Sequence, residues 1–219
     1  MCFSAPVSFA ASAFVAGAGA LALRETRTVT ERPLASVPLL FAMQQFVEGV
    51  LWLLLPQIGT GGASHLLVQV YAFFIGVIWP MVIPLGILLI EPDRLSKRLM
   101  SVVFAIGVIV AIGTFIIILR YGVEVAVVNH CLVYSNPFGG GLLVRSAYVI
   151  ATCAAYFLSS HRSVRWTGVA MVGGFGVAYS FYHLNWPSVW CFFAALVSAL
   201  IYYHFRRSRI IAAAEVAAQ

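Results

Sequence analysis

Seven apolar blocks, each about as long as a bilayer-crossing helix, recur along this chain with short polar connections between them. They cover about residues 6–23, 34–56, 66–90, 99–119, 141–160, 166–184 and 188–205. In hydrocarbon every backbone N–H and C=O must be satisfied within the protein, so each block has to be a helix or a strand of a closed barrel. The blocks lack the period-two alternation of barrel strands. The expected fold is therefore all-α, a polytopic membrane bundle of seven transmembrane helices. It would form one domain over residues 1–209, with a short cytoplasmic tail at 210–219. Composition agrees, since 62% of the residues are hydrophobic and only 9% charged. Soluble domains carry about 25% charged residues, so this chain lacks the polar surface to coat a water-soluble globule.

Basic residues set the expected orientation. Arg24, Arg27 and Arg32 follow the first block, Arg94, Lys97 and Arg98 the third, and Arg162 and Arg165 the fifth. Arg206, Arg207 and Arg209 follow the seventh, leaving Arg120 and Arg145 on the opposite side. The positive-inside rule then places the N-terminus outside and the C-terminus inside. The net charge of +6 has this topological origin, and nucleic-acid binding is not expected. Because Arg24 follows the first block rather than preceding it, that block is read as a retained helix and not a cleaved signal peptide.

On this topology Cys2, His65, His130, Cys131, His183 and Cys191 fall near the outer face. His161 and His204 fall on the cytoplasmic side, and Cys153 packs inside the fifth block as a small apolar residue. Glu48 is the one carboxylate inside a block, about 12 Å below the outer end of its helix. An intramembrane ionisable group is costly and marks a candidate functional site. Gln44, Gln45 and Trp52 share its helix face, so FAMQQFVEGVLW carries a polar stripe that has to face the bundle interior. Tyr179, Tyr182 and His183 form a second such face, and Arg145, Tyr148 and Thr152 a third. Two plainer roles stand beside these: Glu48 as the ion-pair partner of Arg145 or a neutral acid among Gln and Tyr, and His183 with its tyrosines as an interfacial aromatic belt.

Removal of Met1 would leave Cys2 with an amine and a thiolate on one residue, a soft bidentate ligand or a nucleophile with its own base. The leading functional expectation is accordingly a metal or thiolate site open to the outer face. Its ligands would be Cys2, Glu48 and His183, with His130 and Cys191 as further candidates. Gln44, Gln45, Tyr179, Tyr182 and Arg145 would form the polar shell. Zinc, copper or iron suits such mixed ligation. An open coordination position would make a membrane metalloenzyme with Glu48 and Cys2 as its catalytic groups. The alternative is a small-solute transporter or channel with Glu48 lining the pathway. A third is a sensor or receptor, and retinal is excluded because the only lysine, Lys97, lies in a loop. The lipid bilayer is the one partner expected, with the substrate and the oligomeric state left open.

Four local expectations complete the reading. YGVEVAVV, in the long connection after Arg120, favours an extended segment. Pro80 and Pro84 should kink the third block. Ser8, Ser12, Ala16 and Ala20 form a small-residue stripe suited to close helix packing. Cys131 and Cys191 are close enough in topology to pair in an oxidising compartment.

The MCFSA start, FAMQQFVEGVLW and the VWCFFAALVS segment together resemble a family of bacterial multi-pass membrane proteins of unknown function. Its members begin Met-Cys-Phe-Ser or Met-Cys-Trp-Ser and carry the glutamine pair and glutamate in the second block. The resemblance implies a bacterial inner membrane with a periplasmic outer face. It picks out Cys2, Gln44, Gln45, Glu48 and Cys191.

Overall fold

The structure is a computed structural model that describes residues 4–128, 131–135, 141–181 and 186–217. Its helices in chain order are α1 (Ala5–Glu25), α2 (Arg32–Ala35), α3 (Val37–Ile58), α4 (Ala63–Phe73), α5 (Trp79–Ile90) and α6 (Arg94–Tyr121). A two-stranded sheet follows, β1 (Glu124–Val128) and β2 (Cys131–Ser135), and then α7 (Leu142–Leu158), α8 (Arg162–Phe181) and α9 (Trp186–Ala217). Five helical segments are long and apolar enough to cross a membrane: Ala5–Glu25, Val29–Ile58, Ala63–Ile90, Arg94–Tyr121 and Val189–Ala214.

The distribution of polarity is that of a membrane protein. Phe14, Phe46, Ile109 and Leu119 are 55% exposed or more, while Gln44, Gln45 and Glu48 are wholly buried. Water would penalise the first group, and hydrocarbon would penalise the second if it faced outward. The protein places its apolar side chains on the rim and its polar ones inside.

The π turn Phe74–Ile78 joins α4 to α5 and realises the expected kink. Pro80 lacks an N–H, so the helix cannot close its regular ladder there and one extra residue is accommodated ahead of it. Helix α6 packs tightly against this region. A Cβ at Gly107 would collide with the carbonyl oxygen of Pro80, and one at Gly76 with the side chain of Thr114.

On α1 the buried small residues are Ala5, Ser8, Ala11, Ser12, Gly19 and Ala22, with Val15 among them. This corrects the expected stripe, because Ala20 is exposed and Ala16 only half-buried. A helix turns slightly faster than a strict four-residue repeat, so the contact face drifts from Ser12 to Val15 and Gly19. The Ser12 hydroxyl donates to the Ala42 carbonyl of α3 at 2.8 Å.

Two ends of the bundle are distinct. At one, Glu25 accepts from Arg206 at 3.3 Å and Arg209 at 3.0 Å, tying α1 to α9. Glu91 accepts there from the Ser160 amide at 2.8 Å and the Ser159 hydroxyl at 3.1 Å. The other end carries the hairpin, in which Val125 lies opposite Tyr134 and Val127 opposite Leu132. The extended conformation expected of YGVEVAVV is found in β1.

Candidate functional site

Phe41, Gln44, Gln45, Glu48, Leu51 and Leu55 are the buried stripe of α3, spaced three and four residues apart. Gln44 is fixed from α5, where the Trp79 indole N–H donates to its Oε1 at 2.7 Å. Trp79 in turn stacks on Phe41 with ring centroids 3.8 Å apart. The π turn just before Trp79 rotates it into this position, so the proline kink and the polar stripe belong to one arrangement.

Glu48 lies within electrostatic reach of Tyr71 on α4, Tyr134 on β2 and Cys191 on α9. Gln44 lies alongside both Tyr71 and Cys191. Burial, and after it the charges of Glu48 and Cys191, push the Tyr134 phenol well above its ordinary range. Four separate elements thus bring a carboxylate, an amide, a thiol and two phenols into one interior.

This interior holds more hydrogen-bonding capacity than the protein uses. The Gln44 Nε2, both amide atoms of Gln45, the Trp52 Nε1 and the hydroxyls of Tyr71 and Tyr134 are buried without a hydrogen-bond partner. Each such atom costs roughly 1–3 kcal/mol if nothing else satisfies it. Native interiors carry few of them, and several around one carboxylate form a concentration that calls for an explanation.

The hairpin forms the roof. Leu132, Val125 and Tyr134 pack on Leu51, Leu55, Val68, Tyr71 and Ile118. Gln69 locks this roof by imitating a strand: its Nε2 donates to the Val123 carbonyl and its Oε1 accepts from the Val123 amide, both at 2.9 Å. A small cavity of ≈ 30 Å³ is bounded by Phe41, Trp79, Tyr156, Met171, Cys153 and Cys191.

The expected site residues are distributed unequally. Gln44, Gln45, Glu48 and Cys191 meet in the interior. Arg145 and Tyr179 do not, since they line an outer groove with Leu142, Ser146 and Phe175. Glu48 and Arg145 therefore form no ion pair, and the ion pairs among the described residues are those of Glu25. Cys2, His130, Tyr182 and His183 lie outside the described residues. The bond that topology left open between Cys131 and Cys191 is not formed: Cys131 is disulfide-bonded, whereas Cys191 and Cys153 are buried free thiols. Cys131 packs in one buried cluster with Cys153, Val189 and Trp190, close in the fold to the start of α9, but the Cys191 thiol is set beside Gln44 and Tyr71 instead.

Tyr71, Tyr134 and Gln69 escaped the sequence reading. Tyr71 lies in an apolar run with no polar neighbour at helical spacing to mark it. The alternation EVAVV and CLVYS is the signal that could have placed Tyr134 on the inner face of a hairpin.

No curated protein and no solved structure matches the chain. As the MCFSA start and FAMQQFVEGVLW imply, a family model, described as a family of unknown function (DUF6629), matches residues 1–217, and the chain belongs to that family.

Proposed function

We propose that this protein binds a small polar solute inside the membrane, at a site built on Glu48, and that it works as a carrier or channel. The observation behind this is the surplus of buried, unpartnered donors and acceptors around a wholly buried carboxylate. A solute with a cationic or donor group for Glu48 and acceptor atoms for the phenols, the indole and the amides would satisfy them together. The excess of arginine on the α1–α9 end supports an orientation with the N-terminus and hairpin outside. With seven crossings and a bacterial inner membrane, the site would then sit below the periplasmic face.

The second reading is a metal site, suggested by Glu48 and Cys191 lying within electrostatic reach of each other. Mixed carboxylate and thiolate ligation suits zinc or copper, and coordination would deprotonate the thiol. Cys2, His130 or His183 would have to supply the remaining ligands, and metalloenzyme chemistry would follow only from an open coordination position.

Thermal melts of the detergent-purified protein against small zwitterions, small amines and alkali cations test the first reading. At least one class should raise the midpoint in the wild type and fail to do so in Glu48→Gln, while Arg145→Ala responds normally. Elemental analysis separates the second: stoichiometric zinc or copper, lost in Glu48→Gln, would replace the carrier with a metal site. A panel that shifts neither protein, with no metal bound, would sink both.

A further inference from the structure

A second candidate site lies at the opposite end of the bundle, in an open groove between the start of α8 and the end of α9. Arg162, Ser163 and Trp166 form its α8 wall, and Leu200, Tyr203 and Arg207 its α9 wall. The spacing explains the shape. Arg162 and Trp166 are one turn apart on α8, and Leu200, Tyr203 and Arg207 stand three and four residues apart on α9. Among the described residues no acidic side chain borders the groove, so two guanidinium groups face a space that none of these residues neutralises. Neighbouring Arg206 and Arg209 are held by Glu25. Arg162 and Arg207 take part in neither of those ion pairs.

The rest of the groove has the opposite character. Trp166 is 59% exposed, Tyr203 56% and Leu200 42%, and all three stand on the lateral rim of the bundle. In a bilayer these surfaces meet acyl chains and the glycerol region, where amphipathic aromatic rings are favoured. Depth agrees: from Trp186 to Arg207 the α9 helix rises roughly 30 Å at 1.5 Å per residue, about the hydrocarbon thickness. Arg207 therefore comes level with the headgroups when the start of α9 is level with the opposite face. A basic pair lies above an aromatic and aliphatic wall, and the two halves of a phospholipid have the matching order of polarity.

We propose that this groove is a binding site for an anionic phospholipid, the phosphodiester held by Arg162 and Arg207 and the chains lying along Trp166, Leu200 and Tyr203. Planar guanidinium groups suit phosphate oxygens because they offer paired N–H donors. The Ser163 hydroxyl is already engaged with His204 Nδ1 at 2.7 Å and stiffens the floor between the arginines. This inference is independent of the Glu48 site, since no residue is shared.

Native mass spectrometry of the full-length protein tests it, with phosphatidylglycerol, cardiolipin and phosphatidylcholine as probes. The wild type should retain one phosphatidylglycerol or cardiolipin at activation energies that strip phosphatidylcholine. The double substitution Arg162→Ala, Arg207→Ala should weaken retention about tenfold or more, from the loss of two basic contacts near the membrane surface. Arg98→Ala, a basic residue on α6 outside the groove, should leave it unchanged. The pair Arg162→Lys, Arg207→Lys should restore part of the binding, which separates charge recognition from a folding defect. Equal retention of phosphatidylcholine would overturn the proposal, as would an equal loss in Arg98→Ala. Displacement of the lipid by inorganic phosphate at equal concentration would also overturn it, by showing that the arginines recognise free phosphate without the chains.

Discussion

Tyr71 and Tyr134 stack face to face, ring centroids 4.5 Å apart with 15° between their planes. One belongs to a membrane-embedded helix and the other to the hairpin that covers it, so this contact joins the roof to the Glu48 interior. Both hydroxyls are buried without a hydrogen-bond partner, although the rings are well packed. A stacked pair contributes about 0.5–1.5 kcal/mol beyond its burial, while each unmet hydroxyl costs about as much or more.

Tyr71→Phe and Tyr134→Phe keep the stack and delete the unmet groups. Each ligand-free variant should therefore melt at or above the wild-type temperature, by up to roughly 1 kcal/mol of added stability. The same variants should lose part of any solute-induced stabilisation. A drop in ligand-free stability for both would mean that the hydroxyls are satisfied within the folded protein.

Gln69 makes a separate prediction. Its two bonds to Val123 stand in for a neighbouring strand. Gln69→Leu preserves size but removes both, at a cost of roughly 1–3 kcal/mol in local opening. Amide hydrogen exchange at Val123 should rise about tenfold or more, with the exchange of α6 unchanged. Unaltered protection at Val123 would show that the hairpin is held by apolar packing alone.

Much of the fold could be read from the chain because hydrocarbon allows few alternatives. Block length and the lack of period-two alternation were enough for helices, and the cost of a buried carboxylate was enough to turn Gln44, Gln45 and Glu48 inward. What faces Glu48 was not legible. Tyr71 and Tyr134 are 63 residues apart, and their meeting depends on how a hairpin folds back over α4. Arg145 misled for the same reason: charge complementarity made it a plausible partner, yet its helix places it on the outer groove. Nearness in topology left a bond between Cys131 and Cys191 open, and it could not tell which thiol would instead be held beside Gln44.

The state of the described cysteines yields a prediction of its own. The chain has four, at positions 2, 131, 153 and 191. Cys131 is disulfide-bonded, while Cys153 and Cys191 are buried thiols. Non-reducing peptide mapping should therefore recover the Cys131 peptide in a cross-link that reductant releases. Cys153 and Cys191 should be alkylated only after unfolding. A cross-link between Cys131 and either of those two would refute the assignment, and complete alkylation of Cys131 without reductant would refute the bond itself.

The last prediction concerns Glu91, which follows α5 at the end opposite the hairpin and is 1% exposed. Burial by itself would raise its carboxyl pKa. The hydroxyl and amide of Ser160, the amide of Asp93 and the hydroxyl of Ser159 outweigh burial and hold it below its ordinary value. The serine donors come from the turn between α7 and α8, so the carboxylate ties the end of α5 to that turn, and His161 Nε2 lies 3.1 Å from the Ile90 carbonyl beside it. A carboxyl whose folded pKa is depressed contributes stability above the unfolded value of about 4.3, and that contribution is lost as pH falls through the folded pKa. Glu91→Gln removes the charge and sets an amide N–H₂ against the backbone N–H groups of Ser160 or Asp93, and should lose about 1–3 kcal/mol at pH 7. Chemical unfolding in detergent should show a wild-type advantage that is flat near neutral pH and shrinks below about pH 4. An advantage that stays constant from pH 7 to pH 3 would mean that the ionised carboxylate is not what holds this turn in place.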